Sequence, residues 1–71
     1  MSAIGAVEER LAAHWKVLQQ RWRATRERWD DAAARRFERD FWRVVEKALP
    51  ETLDEMRKLD DVVVQARRDL R

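Results

Sequence analysis

The first 29 residues place their apolar side chains at steps of three and four, and this spacing restricts the segment to one long helix. Trp15, Trp22 and Trp29 lie seven residues apart within the series. Seven residues are nearly two turns of an α-helix, so each indole returns to almost the same side, with a drift of about 20° per step. The tryptophans are therefore predicted to form a seam against another helix.

Composition agrees with a helical chain of one domain. The 71 residues are 45% hydrophobic and 42% charged, with one glycine, one proline and no cysteine, which favours long helices over sheet or disorder. A chain this short buries a small share of its surface, so a partner subunit is plausible. A net charge of +2 gives only a weak external field. We expect a single all-α domain over residues 1–71.

Two further apolar series follow the first and keep the helical period. Together, the three series predict helices over about 6–29, 31–48 and 51–70. Between the first two stands Trp29-Asp30-Asp31, where Asp30 is a good N-cap and Asp31 places negative charge in the next first turn. The chain is predicted to reverse there, which makes an antiparallel hairpin.

Pro50 leaves two architectures open. It removes a backbone donor, so the second helix is expected to be kinked or restarted. Thr52 and Glu55 have capping-box spacing, which favours a restart, whereas the absence of glycine near Leu49 opposes a full reversal. A hairpin would dimerise into a four-helix bundle, and a reversal at Pro50 would give a monomeric three-helix bundle instead.

The periodicity also predicts which side chains are buried and which bind a partner. The expected interaction and core seam consists of Trp15, Leu18, Trp22, Trp29, Phe37, Phe41, Met56, Leu59 and Val63. A second, narrower apolar strip at Trp42, Val45 and Leu49 suggests a partner surface, but a broad core-facing stripe is the favoured interpretation.

Residues that could support catalysis or bind metal are few. His14 is the only histidine and there is no cysteine, so we expect no metal site and no cofactor. Neighbouring acids such as Asp30 and Asp31 point about 100° apart on a helix and do not converge on one substrate atom. The single glycine excludes a glycine-rich phosphate loop. The sequence therefore predicts a protein that is not an enzyme.

Nucleic-acid binding is the alternative function. The first helix is rich in arginine, and arginine beside an exposed aromatic such as Trp42 is typical of single-strand binders. Acidic residues interleave with the arginines and offset their field, which favours protein over nucleic acid as the partner.

The segment from Trp29 to Phe37, followed by Phe41 and Trp42, resembles the WXG family of small helical-hairpin proteins of bacterial type VII secretion. Asp31 stands where that family has its glycine, and no aromatic residue follows Trp42 to supply the family's export signal. The resemblance implies a bend at Trp29, an aromatic position at Phe37, and a dimer forming a four-helix bundle.

The expected function is thus that of a small, non-enzymatic helical interaction protein. It would act through coiled-coil-like self-association as a homodimer, or with a related small helical protein. The resemblance adds a larger secretion-associated protein as a further partner. The sequence has no run of eighteen apolar residues, so membrane insertion is not predicted. We expect a cytoplasmic protein, or one exported without a cleavable signal peptide.

Overall fold

The computed structural model describes residues 2–70, and this part of the chain forms helices and no strand. Helix α1 spans Ala3–Arg28 and helix α2 spans Ala32–Phe37. A π-helical segment, Glu38–Trp42, joins α2 to helix α3, which spans Arg43–Asp69. These last three elements follow one another without a break and form a single second arm.

The chain reverses between the arms, as predicted. Trp29 ends α1 in an extended conformation, with its backbone N–H donating to the Thr25 carbonyl at 2.9 Å. The N-cap of α2 is Asp31, whose carboxylate accepts a hydrogen bond of 2.9 Å from the Ala34 backbone N–H. The prediction that Asp30 caps the helix was wrong, because the Asp30 carboxylate faces Arg26 and Arg35 instead.

The second arm is not interrupted at Pro50. Pro50 lies inside α3, one of whose faces packs along α1, so the helix neither restarts at residue 51 nor folds back. The expected boundary between 48 and 51 and the alternative of a three-helix bundle were therefore wrong. Packing against α1 outweighs the backbone hydrogen bond that proline cannot make.

The two arms are antiparallel and form an elongated hairpin of 59 × 18 × 10 Å. Contacts between residues far apart in sequence fix their register. Trp15 lies beside Trp42 in the middle of the hairpin, and Glu8 pairs with Arg57 further from the turn. The core is a single line of side chains between the arms, because two helices offer only one shared face.

Candidate interaction surface

An aromatic cluster forms the centre of the core. Trp15, Trp42 and Leu53 are the large apolar side chains that are buried within residues 2–70. The Trp42 ring lies between two indoles of α1, with its centroid 5.4 Å from that of Trp15 and 5.1 Å from that of Trp22. Trp22 and Trp42 are stacked with an interplanar angle of 25°. Stacked aromatic pairs of this kind add attraction to simple burial.

Trp42, Val45 and Leu49 belong to this core, as the favoured core-facing interpretation predicts, and do not form a partner surface in the hairpin. Trp42 is 8% exposed, and Val45 and Leu49 are half-buried against it. The π-helical segment explains why the Trp42 side chain enters the core. The Arg43 backbone N–H donates to the carbonyl of Glu38, five residues back. This wider turn changes the phase of the arm and directs Trp42 toward α1.

The same change of phase moves Phe41 out of the core. Phe41 is 61% exposed, and Phe37 is also exposed although its ring lies 5.2 Å from that of Trp22. Trp29 is half-buried, edge-on to Trp22 at 6.4 Å. The remaining predicted seam residues divide in the same way: Met56 and Val63 are half-buried, while Leu18 and Leu59 are exposed.

Arg26 holds the turn through hydrogen bonds to three residues. Its guanidinium donates to the Glu38 carboxylate at 2.8 Å, to the Trp29 carbonyl at 2.7 Å and to the Asp30 carboxylate at 3.2 Å. These bonds raise the pKa of Arg26, chiefly through the hydrogen bond to Glu38. The Arg26 side chain therefore ties the end of α1 to the start of the second arm, a role that its helical spacing alone does not reveal.

Polar contacts also join the arms away from the turn. The exposed Arg57 donates to the largely buried carboxylate of Glu8 at 3.1 Å. Further along, the Ser2 hydroxyl and backbone N–H both donate to the Asp60 carboxylate, which lowers the pKa of Asp60. The Ser2 hydroxyl also accepts from the Gly5 backbone N–H and caps α1.

One broad face of the hairpin, formed by both arms, is apolar, and we call it the apolar flank. Leu11 of α1 and Val45 of α3 form its floor and pack against the core. Because both arms are right-handed helices that run in opposite directions, the apolar strips bordering these two residues fall on the same side. The exposed members of the apolar flank are Val7, Leu18, Phe37, Phe41 and Leu59.

The apolar flank is accessible along its length. Val7 and Leu18 are 49% and 47% exposed, although both are large apolar side chains. A shallow depression of about 270 Å³ opens between Val7 and Leu11, with Arg10 and His14 at its edge. Such a contiguous apolar strip with a polar border is typical of a surface that contacts another protein.

The total surface indicates how much of the chain stays uncovered. The hairpin exposes 5912 Å². A compact monomer of its mass, 8.6 kDa, would expose about 4,700 Å². The excess is on the order of 1,200 Å², comparable with the area that one partner buries in a stable protein interface. The elongated hairpin therefore exposes more surface than a compact domain of the same mass.

Other kinds of site find less support in the side chains. Between Ser2 and Leu70, no group of three His, Cys, Asp or Glu side chains is placed to hold a metal ion. No helix in the described part of the chain is both long and apolar enough to cross a membrane. Trp42, expected to stack on nucleic-acid bases, is buried and packs against Trp15 and Trp22. The nucleic-acid hypothesis thereby loses its stacking platform.

Comparison with protein-family models, with curated proteins and with solved structures finds no match for this chain.

Proposed function

We propose that this protein is a non-enzymatic helical interaction protein that acts by covering its apolar flank with another helical hairpin. The observation that carries the proposal is the contrast between a thin core and an exposed flank. Trp15, Trp42 and Leu53 are buried, while five large apolar side chains line one accessible side. Burial of such side chains is the main driving force of protein association.

The size of the flank supports an interface of ordinary dimensions. A face of 59 × 18 Å covers about 1,000 Å², close to the roughly 800 Å² per partner of a standard interface. Two hairpins stacked through this face form a four-helix bundle, in which the flank becomes a second core layer. A second copy of the chain, or a related small helical protein, is therefore the preferred partner.

The resemblance to WXG proteins suggests a setting for this interaction. By that resemblance, the paired hairpin would serve a type VII secretion system as a substrate or as a partner of a larger secretion-associated protein. The protein would then be cytoplasmic, or exported without a cleavable signal peptide. The helical hairpin supports this proposal at the level of architecture, because the resemblance implies the same fold.

Mass in solution tests the proposal directly. Analytical ultracentrifugation at rising concentration is expected to give a species of about 17 kDa, twice the 8.6 kDa of one chain. Replacing Leu18 and Phe41 together by lysine should shift the protein to the monomer while its helix content stays high. Both side chains are already largely exposed in the hairpin, so the substitution removes association rather than folding.

The chain offers a charge-matched control on the faces turned away from the apolar flank. Gln20 and Gln65 are exposed, and helical spacing places each of them more than about 100° from the flank residues of its own helix. Replacing these two by lysine adds the same charge, yet should leave the dimer intact. Equal dissociation by both double variants would contradict the role of the flank.

A further inference from the structure

The borders of the apolar flank carry opposite charge, and this asymmetry selects how two copies would pair. On the α1 border, Arg10, Arg21 and Arg28 recur at steps of 11 and 7, which keeps them within about 20° on one helical line. All three are exposed. The positions between them on this border are apolar, threonine or histidine, so the border carries no acidic residue.

The α3 border of the apolar flank carries acidic residues. Glu51 and Glu55 lie one turn apart, are exposed, and follow Ala48 on the way to Leu59 of the flank. The Glu55 carboxylate lies 3.3 Å from the Lys58 ammonium. Lys58 sits farther around the helix from the flank than Glu55 does, so the carboxylates stay nearer to the flank.

The intrachain contacts give the height of these charges along the hairpin. Trp15 is level with Trp42, and Glu8 is level with Arg57. Arg10 lies between Glu8 and Trp15 in sequence, so it is level with the stretch of α3 that contains Glu51 and Glu55. A twofold axis parallel to the helices keeps each residue at the same height. It places the α1 border of each copy opposite the α3 border of the other copy.

We infer that the partner on the apolar flank is a second copy of this chain, paired so that both turns lie at the same end and α1 of each copy packs on α3 of the other. This inference rests on the proposed function. In this arrangement Arg10 of one copy faces Glu51 and Glu55 of the second copy, twice per dimer. The charged borders then flank the apolar layer, as charged edge positions do in coiled coils.

The opposite arrangement brings like charges together. With the turns at opposite ends, α1 packs on α1 of the second copy, and the border of Arg10, Arg21 and Arg28 faces its own duplicate. The two acidic borders also face each other. Like charges across an interface disfavour a pairing, and here the repulsion would hold for any sliding of the two hairpins.

Distances between labels distinguish the two arrangements. The chain has no cysteine, so Ala33→Cys, at an exposed site beside the turn, provides one attachment point for a spin label. With both turns at one end, two labels separated by helices about 10 Å apart should lie within about 30 Å of each other. A hairpin 59 Å long would hold them near its opposite ends in the other arrangement.

The possible results distinguish failure of this inference from failure of the proposed function. A dimer with short label distances supports the arrangement, whereas a dimer with labels near opposite ends overturns the arrangement alone. A monomer at all concentrations overturns both the arrangement and the self-association. A label at Ala13, midway along α1 and exposed, should report short distances in either kind of dimer and confirms that pairing occurred.

Charge reversal provides a second, independent readout. Arg10→Glu places a carboxylate against Glu51 and Glu55 and should weaken dimerisation about tenfold, since each exposed contact is weak but occurs twice in the dimer. Adding Glu51→Arg and Glu55→Arg to the same chain should restore the dimer. If α1 packed on α1 instead, Arg10→Glu would place an acid against the arginine border of the second copy and leave the affinity unchanged or raise it, which would contradict the inference.

Discussion

Trp15 and Trp42, 27 positions apart in the chain, place their indole centroids 5.4 Å from each other and join the two arms at mid-length. Trp42 also stacks on Trp22. Because the remaining core side chains are smaller or half-exposed, this cluster supplies a large part of the burial that holds the hairpin closed.

Trp42→Ala is expected to destabilise the hairpin by about 3–5 kcal/mol, because truncation of a buried tryptophan removes its burial and leaves a cavity. For a domain this small, that is a large part of the total stability. Urea denaturation followed by circular dichroism measures the change.

Phe41→Ala is the matched control for this substitution. Phe41 is the neighbouring aromatic residue but is 61% exposed in the hairpin. Its truncation should cost the monomer well under half as much as that of Trp42. The measurement belongs at low protein concentration, where association does not contribute, and a larger loss at Phe41 than at Trp42 would contradict the observed phase of the second arm.

Asp31→Ala should lower the free energy of unfolding by about 1 kcal/mol, the usual value of an N-cap. The Asp31 carboxylate accepts from the Ala34 backbone N–H, which would lose its partner. Asp30→Ala should cost less, since the Asp30 carboxylate is exposed and forms only surface ion pairs. A thermal unfolding series of both variants ranks them, and the reverse order would show that Asp30 is the cap.

Pro50→Ala is expected to stabilise the protein by up to about 3 kcal/mol, because proline inside a helix removes a hydrogen bond and crowds the preceding turn. Pro50 is exposed, so alanine leaves little cavity behind. Chemical denaturation should show a higher midpoint, and the far-ultraviolet signal should increase slightly. A lower midpoint would mean that α3 needs the proline for its path along α1.

Acid should weaken the contact between Asp60 and Ser2. The Ser2 hydroxyl and backbone N–H lower the pKa of Asp60 below its ordinary value of 3.8. A lowered folded-state pKa gives stability that is present above pH 3.8 and is lost as the pH falls through the folded-state value.

Urea midpoints measured from about pH 5 to about pH 2.5 should therefore fall more steeply in the wild type than in Asp60→Asn. Asp61→Asn is the control, because Asp61 is exposed on the adjacent position. A wild-type slope that Asp60→Asn leaves unchanged would show that the Ser2 contact adds nothing to the pH dependence.

Local chemistry in the sequence was sufficient to place the reversal. The apolar period runs unbroken to Trp29, two aspartates follow, and three alanines open the next helix. Capping depends on a few adjacent atoms, so neighbouring residues predict the start of a helix to within one position. The predicted cap was Asp30, and the observed cap is the next residue, Asp31. Pro50 does not end α3, because its local cost is smaller than the packing of a 27-residue helix.

The sequence by itself determined amphipathic helices and the turn that follows Trp29, because helical periodicity and capping are properties of neighbouring residues. Packing decided that the second arm continues through Pro50 as one helix. Only the tertiary structure decided whether Phe41 or Trp42 enters the core, since both are apolar and an α-helical period admits either. Stacking of Trp42 between Trp15 and Trp22 outweighs the cost of a π turn and resolves the choice. The same phase leaves Phe41 on the flank where a partner can bind.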